Sequence, residues 1–170
     1  GEWYVMAWNK IINKKHVIKN NLYFKEGLIH EDELWTFNII TKENSIKIID
    51  IPTYKYRQRE GSIIHTKSIK EINSIVTIIQ TIKTYIQDSD SIVLHKYFQC
   101  EYISALIRIL SNKFPLKTNY ILYKKLARID YKLSYRGGAA IKLICKSLNH
   151  PSMLNFIISY VITGLIKKKI

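Results

Sequence analysis

From Ser68 onward an apolar residue returns at every third or fourth position: Ile69, Ile72, Ile75, Val76, Ile79, Ile82 and Ile86. That spacing keeps one face of a helix apolar for about five turns, and a strand has no use for it. Ser68 and Glu71 stand three apart, the spacing at which a hydroxyl and a carboxylate cap each other's backbone amides. Asp88-Ser89-Asp90 interrupts the pattern. Further helices are expected over residues 91–112, over 118–135 after Pro115, over 138–148 and over 152–168 after Pro151, with Gly137-Gly138 and the prolines as punctuation. Residues 67–170 therefore read as a helical region.

Residues 1–66 have a different texture. Residues 2–9 are rich in aromatic and apolar side chains and fit a buried strand or its approach to a helix. Residues 10–17 suit a short helix or turn, Asn20-Asn21 a loop, and Gly27 a break before His30-Glu31-Asp32-Glu33. Leu34, Phe37 and Ile40 then recur every three residues, and acidic side chains favour a helix's first turn. Residues 45–51 alternate toward a strand, with Ile46 and Ile48 on one side and Pro52 as the stop; residues 53–59 are a second strand candidate, ended by Gly61. The expected fold class is α/β: short strands in the first 66 residues, followed by a mostly helical C-terminal region.

Composition narrows the function classes. A chain of 170 residues that is 47% hydrophobic can build one core and is not disordered. Cys100 and Cys145 show no zinc-ligand spacing and are too few for a disulfide scaffold; they are expected to pack as small core residues in a reducing, cytoplasmic compartment. No signal peptide pattern precedes Met6, and the opening at Gly1 suggests the interior of a longer protein. The formal charge of +14 calls for an anionic partner. Nucleic acid is one candidate, but no helix-turn-helix, RNP-like or zinc signature occurs and the basic residues are spread along the chain. Residues 153–166 are apolar and run into Lys167-Lys168-Lys169. About 14 residues are too few to span a bilayer; they suit either the interface of an anionic membrane or docking on the chain's own domain.

Some residues could carry chemistry. Glu31-Asp32 at a helix start would hold one carboxylate toward a cleft, where an ionised carboxylate beside a hydroxyl acts as a general base. The same pair also decorates helix N-termini with no catalytic role. In an extended chain Lys55, Arg57 and Arg59 fall on one face, and with Ser62 and the small Gly61 they suit a diphosphate; a solvated edge strand has the same pattern. Asp88-Ser89-Asp90 sits at a helix end rather than after an apolar strand, so it reads as a helix break and not as a metal motif. His16, His30, His65, His95 and His150 show no i, i+4 ligand pairing.

The order of these residues says more than any one of them. Ala7-Trp8-Asn9-Lys10, then Phe24-Lys25-Glu26-Gly27, then Glu31-Asp32-Glu33, then Tyr54-Lys55-Tyr56-Arg57-Gln58-Arg59-Glu60-Gly61-Ser62-Ile63 resembles the acceptor-side half of family 2 glycosyltransferases, over roughly residues 3–66. The resemblance implies a GT-A, Rossmann-like sandwich and inverting transfer from a nucleotide-sugar donor to a glycan or lipid-linked acceptor. By that analogy Asp32 matches the catalytic base, with Glu31 beside it. Arg57, Arg59 and Ser62 match the loop over the donor diphosphate, Trp8 and Lys10 the wall of the acceptor site, and His65 a metal-contacting position. The resemblance also implies a divalent metal, Mg or Mn, held by an Asp-x-Asp motif that precedes the acceptor half in such enzymes. No such motif precedes it here, so the chain is expected to be an inactive C-terminal part, prone to self-association through uncovered sheet surface and peripheral at the inner face of a membrane.

Overall fold

The computed structural model describes residues 5–43, 45–55, 57, 68–134 and 138–167. The chain divides into two compact units, Gly1–Ser74 and Ile75–Ile170.

In the first unit a 3-10 turn, Ala7–Asn9, is followed by α1 (Lys14–Lys19) and α2 (Glu31–Lys42). Asn13 starts α1 by accepting from the Lys15 amide at 2.9 Å. Asn21, at φ 52°, turns the chain out of α1, so that buried Leu22 returns its amide to the Val17 carbonyl at 2.9 Å. Two more left-handed residues, Gly27 at φ 82° and His30 at φ 65°, set the entry to α2. α2 buries Leu34, Thr36, Phe37 and Ile39, and the 3-10 turn packs against it. The first turn of α3 (Ile69–Ile86) also belongs to this unit, and its capping box is formed: the Ser68 amide donates to Glu71 at 3.3 Å and the Glu71 amide to Ser68 Oγ at 3.1 Å.

The second unit contains the rest of α3, then α4 (Ile92–Leu110), α5 (Leu116–Leu126), α6 (Ala139–Asn149) and α7 (Met153–Lys167). α4 packs on α5 and α7, and α7 also packs on α5 and α6. Their shared core is aromatic at its centre, with Phe98, Tyr102, Tyr123 and Phe156 fully buried. Each buried tyrosine spends its hydroxyl on a main-chain carbonyl: Tyr102 on Leu126 at 3.1 Å, Tyr123 on Ser147 at 2.7 Å. Burial raises both phenol pKa values, so both remain neutral donors.

The α/β expectation fails. Among the described residues there is no strand and no sheet. Residues 5–9 contain the 3-10 turn instead of a strand. Residues 45–51 are irregular and solvent-exposed, Ile46 and Ile48 included, and so are residues 53–55 and Arg57 of the second strand candidate. Alternation gives a segment two faces, but a strand exists only when another strand takes its amides and carbonyls, and among the described residues there is none. The helix expected over 118–135 also ends early, at Leu126. Beyond it the main chain of Leu133 is bonded by the Asn149 side chain, and Ser134 donates amide and hydroxyl to Gln99 Oε1 at 3.1 and 2.7 Å. Of the two cysteines, Cys145 is buried as expected, whereas Cys100 is exposed.

Candidate functional site

The strongest concentration of the sequence-derived site residues lies in the first unit, where the 3-10 turn meets the N-terminal end of α2. His30, in the left-handed conformation, turns the chain so that Glu31, Asp32 and Glu33 occupy the first helical turn. The helix dipole favours negative charge there. Glu33 points inward and is buried, while Glu31 and Asp32 are partly exposed. Burial, followed by the nearby Glu31 and Glu33 charges, raises the Asp32 pKa against the opposing influence of His30 and a backbone hydrogen bond. Asp32 thus holds a proton more tightly than an ordinary aspartate.

Lys10 follows the 3-10 turn. Its Nζ donates to the Met6 carbonyl at 2.7 Å and to Asn9 Oδ1 at 2.8 Å. Burial lowers its pKa, and the charge of Asp32 works in the other direction, which places the two groups within electrostatic reach. The turn is tied to α2 from behind: Thr36 Oγ1, fully buried, donates to the Val5 carbonyl at 2.6 Å. Trp8, in the same turn, stacks on Tyr54 with ring centroids 4.4 Å apart, and both rings remain substantially exposed. A second stack, Phe24 on Trp35 at 4.6 Å, is anchored where Trp35 Nε1 donates to the Leu22 carbonyl.

The structure therefore brings together Asp32, Lys10 and the turn bearing Trp8, with Glu31 beside them. Arg57 is exposed beyond Tyr54. Arg59, Ser62 and His65 lie outside the described residues. Two participants were not singled out from sequence. Tyr54 belongs to the segment that carries the resemblance, yet the resemblance assigns it no role, whereas its stacking partner Trp8 is assigned, with Lys10, to the wall. His30 contacts Glu71 through Nε2 at 3.2 Å and lies 3.9 Å from Glu33 through Nδ1. The signal for the Glu71 contact was the capping box, which fixes that carboxylate at the start of α3.

His30, Glu33 and Glu71 do not make a metal centre. The two carboxylates meet opposite nitrogens of one ring, so their oxygens do not converge on a common point. Among the described residues no group of three or more His, Cys, Asp or Glu side chains has metal-binding geometry. Asp88-Ser89-Asp90 forms the turn between α3 and α4, with the Ser89 amide on the Ile86 carbonyl and Ser89 Oγ accepting from Ser91. No protein-family model, no curated protein and no solved structure matches this chain.

Proposed function

We propose that this chain is the acceptor-side part of an inverting glycosyltransferase, one that moves a sugar from a nucleotide-sugar donor to a glycan or lipid-linked acceptor. The observation that carries the proposal is the placement of Asp32 in the first turn of α2 and of Lys10 just after the 3-10 turn that packs on α2, near enough for the Asp32 charge to act on the Lys10 ammonium. Asp32 takes the proton of the acceptor hydroxyl as that oxygen attacks the anomeric carbon, and the nucleoside diphosphate leaves from the opposite face. A raised proton affinity suits such a base. Lys10 offsets the acidic cluster, and the exposed Trp8–Tyr54 stack offers a flat apolar surface to a sugar ring. Arg57, with Arg59 and Ser62, is assigned to the donor diphosphate. The α/β sandwich is no part of this proposal, and no step runs through a metal.

The test uses the natural polypeptide that contains these residues, incubated with a panel of nucleotide sugars and glycan acceptors. Release of nucleoside diphosphate coupled to a product of inverted anomeric configuration, read by proton NMR, is the expected result. Retention of configuration, or no consumption of any nucleotide sugar, would overturn it.

A further inference from the structure

α7 is inside out for a helix in water. The side chains it buries against its neighbours include Ser159, 0% exposed, and Thr163, 2% exposed, alongside Phe156. The hydroxyls of Ser159 and Thr163 find no hydrogen-bond partner among the described residues. The opposite face presents an exposed apolar row: Met153, Leu154 at 68% exposure, Ile157 at 46%, Val161 at 54% and Leu165 at 57%. At about 100° per residue these five lie on one side of the helix, along a row of roughly 18 Å. A helix that ends its folding in water turns its hydroxyls out and its aliphatic row in.

The charge of the chain is concentrated in the same part of the sequence. After Glu101 it carries thirteen Lys and Arg against the single Asp130, so nearly all of the +14 belongs to the last 69 residues. α5, α6 and α7 contain no acidic residue. Lys117 on α5 and Lys142 and Lys146 on α6 are exposed, and the sequence closes on Lys167-Lys168-Lys169.

We propose that the aliphatic face of α7, with the basic helices packed beside it, docks on an anionic lipid surface. A second copy of this unit would set one strongly positive body against another. A nucleic acid would satisfy the lysines but gain nothing from a row of Leu, Ile and Val. An anionic bilayer takes both: the row enters the boundary between headgroups and acyl chains, and the lysines meet the lipid phosphates and carboxylates. α7 lies in the plane of that surface, since no helix among the described residues is long and apolar enough to cross a membrane. The inference rests on the second unit alone and does not depend on the acceptor-site proposal.

The experiment is co-sedimentation of the full 170-residue chain with vesicles of phosphatidylcholine alone and with about 30% phosphatidylserine, where binding to the acidic vesicles should be stronger by about tenfold or more. Ile157→Asn with Val161→Asn, both at exposed positions, should keep the helical circular dichroism and lower acidic-vesicle binding by about tenfold. Leu154→Trp keeps the face apolar, so it should bind normally and add a blue-shifted emission component when acidic vesicles are present. Absence of vesicle binding, full binding by the asparagine variant, or no new blue-shifted emission would overturn the proposal. So would a stable dimer that the asparagine variant dissolves, which assigns the face to a second copy, or a nucleic-acid complex that the same substitutions weaken.

Discussion

Asn149, the last residue of α6, holds the main chain of Leu133 from both sides: its Oδ1 accepts from the Leu133 amide at 2.9 Å and its Nδ2 donates to the Leu133 carbonyl at 3.0 Å. This two-point clamp bonds both main-chain polar groups of a residue that lies outside any helix, and the Leu133 side chain beside it is buried in the core. Asn149→Ala removes both bonds and should cost about 2 kcal/mol in urea denaturation. Asn149→Asp keeps the acceptor, loses the donor, and should fall between the two.

The capping box at the head of α3 makes a graded prediction. Ser68→Ala leaves the Glu71 amide without its hydroxyl partner and should cost about 1 kcal/mol. Glu71→Ala loses the reciprocal cap and also the His30 contact at 3.2 Å, so it should be the more destabilising of the two. Equal losses in thermal unfolding would mean that the His30 contact contributes nothing.

Asp32 should make stability depend on pH in a definite direction. Its pKa in the folded chain lies above the ordinary 3.8, so the folded state binds this proton more tightly than the unfolded chain does. The resulting stabilisation is full below pH 3.8 and is lost as pH rises through the raised value. Asp32→Asn carries no such dependence. It should melt slightly higher than the parent at pH 7, with the two curves converging toward pH 3. A variant that melts lower at pH 7 would show that the Asp32 charge is stabilised by its surroundings.

The two thiols should react very differently. Cys100 is exposed, whereas Cys145 is fully buried and burial raises its pKa, which disfavours the reactive thiolate. Alkylation of the native chain followed by peptide mass mapping should label Cys100 first and Cys145 only after unfolding.

The parts of this fold that sequence makes legible are those whose signal is local. α3 begins and ends where the capping box and the isoleucine spacing place it, because both ends of that helix are defined by residues within it or next to it in sequence. Residues 45–51 mislead because alternation records two faces, while a strand also needs a partner that no local pattern reports. The end of α5 is set from a distance, by Tyr102 at the Leu126 carbonyl and by Asn149 at Leu133. For α7 the composition announces an apolar helix but not which side faces out, since Ser159 and Thr163 read as the wet face and are the dry one. The charge asymmetry was visible in sequence, yet it lies in missing acids rather than in clustered lysines. In the candidate site, the place of Asp32 in a helix's first turn is legible from the acidic run before Leu34, whereas the Trp8–Tyr54 stack depends on how the chain returns after α2.

The acceptor-site account turns on Asp32, and the most direct measurement is steady-state sugar transfer by the natural polypeptide containing this chain, compared with its Asp32→Asn variant. Asparagine keeps the shape of the side chain but cannot take the hydroxyl proton. The account predicts a loss in kcat of about 10²–10⁴-fold with the donor KM nearly unchanged, because the base faces the acceptor. Near-normal turnover by a folded Asp32→Asn enzyme would contradict it and leave Asp32 as a carboxylate that only caps the first turn of α2.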